Sequence, residues 1–381
     1  MDEIRSAEPR LSRYIHAKAA QRGYPCAGTF ELTPRCNFDC KMCYVHLSKQ
    51  EQEARGKELT AQQWISMGQQ ACAEGMVFLL LTGGEPTLRP DFPEIYSALK
   101  KMGLMISINS NGYLLRGEIL ELLRNDPPYR INISLYGTSN ETYERLCGIA
   151  AYDIVMENVR QLRESGIDVK LNMSVTQENR ADLQAVFEQA SALGVHTQAA
   201  SYMFPPVRIS GKFGEGFRMR PQEAAQCEVN YNRLRMGRER FCAYAQELAG
   251  GVRSKEESGD CEGAQPGEGM RCRAGRSSFW LTWDGKLLPC GMMPEPAADA
   301  LALGIAEAWR QIHEKVEAIR MPAACQSCAY AHGCHVCAAM CYCETGGYDA
   351  PPEYVCQMTR SVFSLTQEAS CEEAAKEETW N

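Results

Sequence analysis

Between residues 28 and 201, short apolar runs that read as strands alternate six times with stretches that read as amphipathic helices. The strand-like runs are 28–33, 77–82, 104–109, 130–135, 169–175 and 195–201, and the helix-like ones 60–74, 91–102, 114–124, 141–147, 152–165 and 180–193. The run at 77–82 is apolar without alternation, the mark of a strand buried on both faces. Thr60-Ala61-Gln62-Gln63 has the form of a capping box, and Gly75 is a natural stop. Leu183, Val186, Phe187, Ala190 and Leu193 recur at helical spacing and end at Gly194. Strands that alternate with helices pair in parallel, with the helices outside. The fold class is therefore α/β.

Thiols and polar residues collect where these strands end. After the first comes Cys36-Asn37-Phe38-Asp39-Cys40-Lys41-Met42-Cys43, a C-x3-C-x2-C spacing followed directly by Tyr44. Three thiolates on a short loop can hold three irons of a cubane [4Fe–4S] cluster, which normally takes four cysteines. No fourth cysteine follows closely, so one iron is left open. A zinc knuckle or plain buried thiols are the alternatives, though zinc sites more often use paired C-x2-C units. The second strand runs into Gly83-Gly84-Glu85-Pro86, a Gly-Gly turn that carries a carboxylate.

With this loop and this turn, the chain resembles the radical S-adenosylmethionine (radical SAM) enzymes. Its six βα units match their incomplete (β/α)6, TIM-like barrel, in which the chemistry sits at the C-terminal ends of the strands. The resemblance implies a [4Fe–4S] cluster on Cys36, Cys40 and Cys43, with SAM chelating the open iron. One-electron reduction, from a donor such as flavodoxin or ferredoxin, then cleaves SAM to methionine and a 5′-deoxyadenosyl radical that abstracts a substrate hydrogen. It also implies SAM contacts from Tyr44, from Gly83, Gly84, Glu85 and Pro86, and from Asn109, Asn111 and Ser134. Arg145, in Tyr143-Glu144-Arg145-Leu146-Cys147-Gly148, resembles the arginine that pairs with the SAM carboxylate, a task its planar fork suits. An ordinary exposed helix arginine is the other reading. Tyr136 stands where many relatives have an aspartate, and either orders the substrate or packs.

A second field of ten cysteines runs from Cys261 through Cys272, Cys290, Cys325, Cys328, Cys334, Cys337, Cys341 and Cys343 to Cys356. Residues 272–290 form a hairpin pattern about Asp284-Gly285, with a cysteine near each outer end. This arrangement resembles the SPASM extension, a smaller cysteine-rich C-terminal domain with two auxiliary [4Fe–4S] clusters. By that resemblance Cys325, Cys328, Cys334 and Cys356 hold one cluster. The other takes Cys272 and Cys290 plus one of Cys337 or Cys341, with Cys261 possible. After Cys334 the next cysteine comes one position earlier than in the SPASM pattern, and without Cys261 the first auxiliary cluster keeps an open iron. Twin zinc sites are the alternative here.

The organisation expected is an N-terminal extension (1–27), the partial barrel (28–203), a linker and bridging helix (204–260, helix at 221–248), the SPASM region (261–360) and a C-terminal helix with an acidic tail (361–381). A net charge of −8 leaves no basic excess to neutralise phosphates, which argues against nucleic acid as a partner. No signal peptide is visible and no apolar run approaches the ~20 residues of a membrane span, so a cytoplasmic protein is expected. There, 19 cysteines mean metal or redox chemistry rather than disulfides. SPASM relatives mostly modify peptides or proteins, by crosslinking or by oxidising a side chain. Sulfatase maturases carry an Asp directly after the hairpin-ending cysteine; here Cys290 is followed by Gly291, so that branch is disfavoured and the catalytic base has no candidate. Only 35 residues precede Cys36, too few for a winged-helix leader-binding domain, which leaves recognition to the barrel and SPASM surfaces or to a partner. Segments 204–220 and 249–270 are candidates for closing over the substrate. The expectation is therefore a peptide- or protein-modifying enzyme. A SPASM oxidoreductase of a small molecule is the nearer alternative, and a non-catalytic iron–sulfur relay the further one.

Overall fold

The computed structural model describes residues 10–206, 217–251 and 269–378, with side chains as far as residue 370. Cys261 and most of the two candidate closing segments lie outside the described residues. The six predicted strands are present: β1 (Ala27–Glu31), β2 (Phe78–Thr82), β3 (Met105–Ser110), β4 (Arg130–Ser134), β5 (Val169–Ser174) and β6 (His196–Ala200). Each pairs in parallel with the next.

The helices are α1 (Arg10–Arg22), α2 (Lys49–Arg55), α3 (Ala61–Ala73), α4 (Phe92–Lys101), α5 (Glu118–Asn125), α6 (Asn140–Cys147), α7 (Tyr152–Glu164), α8 (Leu183–Ala192), α9 (Pro221–Met236), α10 (Arg238–Ala249), α11 (Ala300–Glu317), α12 (Ala323–Gln326), α13 (Ala338–Thr345) and α14 (Glu353–Glu378). Thr60 caps α3 with the expected box, its side chain accepting from the Gln63 amide. The single helix expected at 221–248 is broken at Gly237, whose φ of +71° is left-handed and suits glycine. The C-terminal helix expected from 361 begins earlier, at Glu353, and it packs on α9 and α10.

Alternation along the strands divides the sheet into two faces. Ile108, Ile131 and Leu171 are fully buried on the helix side. The residues beside them, Asn109, Asn132, Lys170 and Asn172, point to the inner side of the barrel and are only half-buried.

The hairpin β7 (Ser278–Leu281) and β8 (Lys286–Leu288) forms as predicted, and β9 (Ala298–Asp299) extends it. Its placement was not legible. β7 pairs in parallel with β1, from Ala27↔Ser278 to Phe30↔Leu281, so one nine-stranded sheet runs β6-β5-β4-β3-β2-β1-β7-β8-β9. The Trp280 indole N–H donates to Glu31 Oε2 at 2.7 Å across this join. One buried apolar cluster extends from Phe30 through Trp309 to Val362. Among the described residues, no helix is long and apolar enough to cross a membrane.

Candidate active site

Three elements fix the loop that carries Cys36, Cys40 and Cys43. On one side the turn after β2 is zipped to the segment leading out of β1: the Gly84 amide donates to Thr33 O (2.7 Å) and that of Glu85 to Arg35 O (2.9 Å). A Cβ on Gly83 would lie 2.4 Å from Thr33 O, and one on Gly84 2.3 Å from Arg35 O. Neither position admits a side chain while the two backbones lie this close. On the other side, the amides of Asp39 and Lys41 donate to the carbonyls of Cys147 (2.9 Å) and Leu146 (3.0 Å). These carbonyls belong to the last turn of α6 and have no partner within the helix, so the loop satisfies them. Beneath, buried Arg89 donates to Leu32 O (2.8 Å) and Leu59 O (2.9 Å) and pairs with Asp91. Glu58 accepts from Thr33 and from both ends of the Arg35 fork.

Backbone and amide N–H groups surround the sulfurs. Cys36 Sγ accepts from the Phe38 amide (3.4 Å) and from Asn111 Nδ2 (3.6 Å), and Cys43 Sγ from the His46 amide (3.2 Å). Cys40 lies against the fully buried Cys147 and near Tyr136. Burial pushes the Cys36 thiol well up, and contact with Cys147 followed by burial does the same to Cys40. Thiolates persist in such a pocket only against positive charge, which bound iron supplies. Asn37 Nδ2 is buried here with no hydrogen-bond partner. The donor set of three thiols, flanking N–H groups and one orphaned amide fits an iron–sulfur cluster.

Glu85 is fully buried. Its carboxylate accepts from the Thr87 amide (3.1 Å), Ser110 Oγ (3.0 Å) and the Asn111 amide (2.8 Å), tying the turn to the end of β3. Burial still pushes its carboxyl up, against these hydrogen bonds. Pro86 starts a 3-10 turn at the same place, and Tyr44 is half-buried. Asn111 joins the sites, its Nδ2 reaching Asn37 Oδ1 at 2.9 Å as well as Cys36. Asn109 accepts from Asn132 at 2.8 Å on the inner face, and Ser134 ends β4. Arg145 is half-exposed and already meets a carboxylate, Glu178, at 3.3 Å, a residue that also pairs with Lys41. Sequence reasoning missed Cys147, Asn37, Glu58 and Glu178. Cys147 stood in the quoted stretch around Arg145, but nothing in the pattern placed it opposite Cys40.

The second cysteine field resolves into two neighbourhoods. Burial pushes the Cys325 thiol up, with Cys334, Cys356 and Cys328 adding to it. Cys290 is pushed up to about 12 by burial, with Cys272 and Cys337 adding to it. Cys341 is fully buried between them and also pushed up to about 12, mainly by burial. Cys343 Sγ donates to Met292 O at 3.6 Å, and burial, with Cys337 adding to it, pushes its thiol up to about 11. A cavity of about 310 Å³ is lined by Cys272, Cys325, Cys328, Cys334, Cys337 and Cys356. Among the described residues, no three His, Cys, Asp or Glu side chains converge closely enough to grip a single ion.

Residues 30–190 match the family model of the Radical SAM superfamily. The AdoMet-dependent heme synthase of Methanosarcina barkeri is 26% identical over 347 residues, 84% of this chain and 93% of that one. A probable GTP 3′,8-cyclase of Saccharolobus solfataricus is 34% identical over 167 residues, 43% of this chain; the match spans about half of that relative, 53%. The fold resembles native anSMEcpe with bound AdoMet and Cp18Cys peptide (TM-score 0.68, 15% identity, 92% of this chain and 99% of that one). It also resembles Streptococcus suis SuiB bound to precursor peptide SuiA (TM-score 0.66, 16% identity, 91% and 80%). Residues 30–190 of this enzyme thus match the Radical SAM superfamily, and a cysteine-rich C-terminal region follows them.

Proposed function

We propose that this enzyme abstracts hydrogen from a side chain of a peptide or protein and leaves an oxidised or crosslinked product, for example a thioether. The observation that carries the reading is the extent of the fold likeness, over nine-tenths of the chain, to two proteins whose structures contain a peptide. The cavity lined by six cysteines of 272–356 supports an auxiliary iron–sulfur region beside the barrel. In this reading 28–203 is the barrel and 261–360 the auxiliary region, joined through 204–260.

Cys36, Cys40 and Cys43 hold the first [4Fe–4S] cluster; bound with SAM, it supplies the 5′-deoxyadenosyl radical. The Phe38, Asn111 and His46 N–H groups stabilise charge on the sulfurs. Glu85 is occupied within the protein, so the turn offers SAM its backbone, with Gly83 and Gly84 allowing close approach and Pro86 fixing the exit. Tyr44, Asn109, Asn111 and Ser134 line the strand ends around SAM. Arg145 holds the SAM carboxylate by exchanging its contact with Glu178. Cys325, Cys328, Cys334 and Cys356 hold one auxiliary cluster, and Cys272, Cys290 and Cys337 the other, with Cys341 or Cys261 to complete it. A flavodoxin or ferredoxin supplies the electron.

Anaerobically reconstituted protein is expected to hold about 12 irons per chain, falling to about 8 when Cys36, Cys40 and Cys43 are changed together to Ala. With SAM and reductant, a short peptide encoded beside the gene should lose two hydrogen atoms by mass spectrometry. About 4 irons, all lost in the triple variant, would sink the auxiliary clusters and this substrate class with them. One observation favours a small-molecule substrate instead: the heme synthase relative is matched along 93% of its length. An unaltered peptide beside an altered small molecule in the same assay would establish that reading.

A further inference from the structure

The inner wall of the barrel at its open edge carries a cation that has no counter-charge among the described residues. Lys170 on β5 lies in register with His196 on the edge strand β6, and Asn172 with Gln198. The Lys170 ammonium leans along the strand and donates to Gln198 Oε1, which brings it level with Asn172. That level is two residues, about 7 Å, short of the Ser174↔Ala200 pair at the strand ends.

Among the described residues no carboxylate comes within the 4.0 Å of an ion pair from Lys170. Burial, followed by the cationic Arg130, depresses it, and after burial Lys170, Arg130 and Arg235 act in the same sense on His196. Asp168 acts on His196, and it is committed to Arg130 at 2.7 Å. A half-buried ammonium without a counter-ion is costly, and an apolar side chain would serve packing better. Asn172 Oδ1, at the same level, is a buried acceptor without a hydrogen-bond partner, so it calls for a donor, such as a peptide N–H, beside the acidic group. Gln198 and Ala200 are exposed, so the wall is open to an incoming molecule along β6.

We propose that Lys170, with Gln198 and His196 beside it, is a carboxylate-binding subsite, and that the substrate anchors an acidic group there while its reacting carbon lies at the strand ends. The inference rests on the peptide reading above and narrows it to a substrate with an acidic residue close to the modified one. A free organic acid offers the same chemistry, so the test separates the two sources.

The probe is radiolabelled glutarate, measured by equilibrium dialysis against holoenzyme saturated with SAM, so that the cofactor's own carboxylate site is filled. Lys170→Met should weaken binding at least about tenfold, the loss of one charge-assisted hydrogen bond, while Lys170→Arg stays within about threefold. Glutaramide should not compete. Iron content and circular dichroism report whether each variant folds, and Lys170→Gln replaces the Met variant if it does not. Glutarate that fails to bind the wild type, or binds Lys170→Met equally well, overturns the subsite and leaves the peptide reading to the mass assay. N-acetyl-Gly-Glu-Gly-amide that competes better than unlabelled glutarate supports both. Competition by free diacids alone keeps the subsite and removes the peptide.

Discussion

Glu85 shows how little of this site is left to chance at the scale of one residue. Its carboxylate collects Thr87, Ser110 and Asn111, so one side chain sets the turn after β2 against the end of β3. Because burial raises its pKa above the ordinary carboxyl value of 4.5, the folded chain binds that proton more tightly than the unfolded one. The stabilisation this gives is complete below the unfolded pKa and is lost as pH rises through the folded one. Glu85→Gln removes the titration. In urea melts at a series of pH values, the wild type should therefore lose stability relative to Glu85→Gln as pH climbs from about 4.5 through that window. Gly84→Ala acts by space: its Cβ meets a backbone carbonyl that cannot turn aside. It should cost the chain about four irons with secondary structure intact, read by iron assay and circular dichroism. The cysteine spacing was open to a reader of the sequence, because ligands on one loop are neighbours along the chain. The Cys40–Cys147 contact was not, since it depends on which helix end meets the loop.

At the scale of elements, β6, α13 and α14 are joined through Arg218. Its guanidinium lies 3.5 Å from the centre of the Tyr354 ring and donates to Glu344, which also accepts from Tyr202 at 2.7 Å. Glu344 is only 12% exposed, so Arg218→Met would leave a buried carboxylate uncompensated. The expected loss is about 3–5 kcal/mol by chemical denaturation. Pairing it with Glu344→Gln should recover part of that, as a double-mutant cycle would show. The strands and helices of the barrel were legible because period and capping are local signals. The break at Gly237 was overlooked, since one glycine among helix formers is tolerated. The full length of α14 was hidden too, because the sequence after Ala369 turns acidic and carries no apolar stripe.

For the whole molecule, the parallel order of β1 to β6 followed from alternation, but the merger of barrel and hairpin into one sheet did not. Pairing between residues far apart in sequence leaves no local trace. The same lack of regular structure that made 320–352 hard to read also forecasts its behaviour. That stretch holds a four-residue helix, an eight-residue helix and turns, with six cysteines among them. If clusters hold it together, removing iron by chelation should raise amide hydrogen exchange there sharply while β1 to β6 stay protected. Uniform protection before and after chelation would show that packing alone suffices. The join between β1 and β7 bears on how the molecule is made. The strand that leads into the cluster loop meets its second neighbour only across 251 positions of chain. On the ribosome, that edge stays bare until β7 has emerged, and bare edges recruit other chains. A cell that makes this enzyme must shelter its first strand until its last partner arrives.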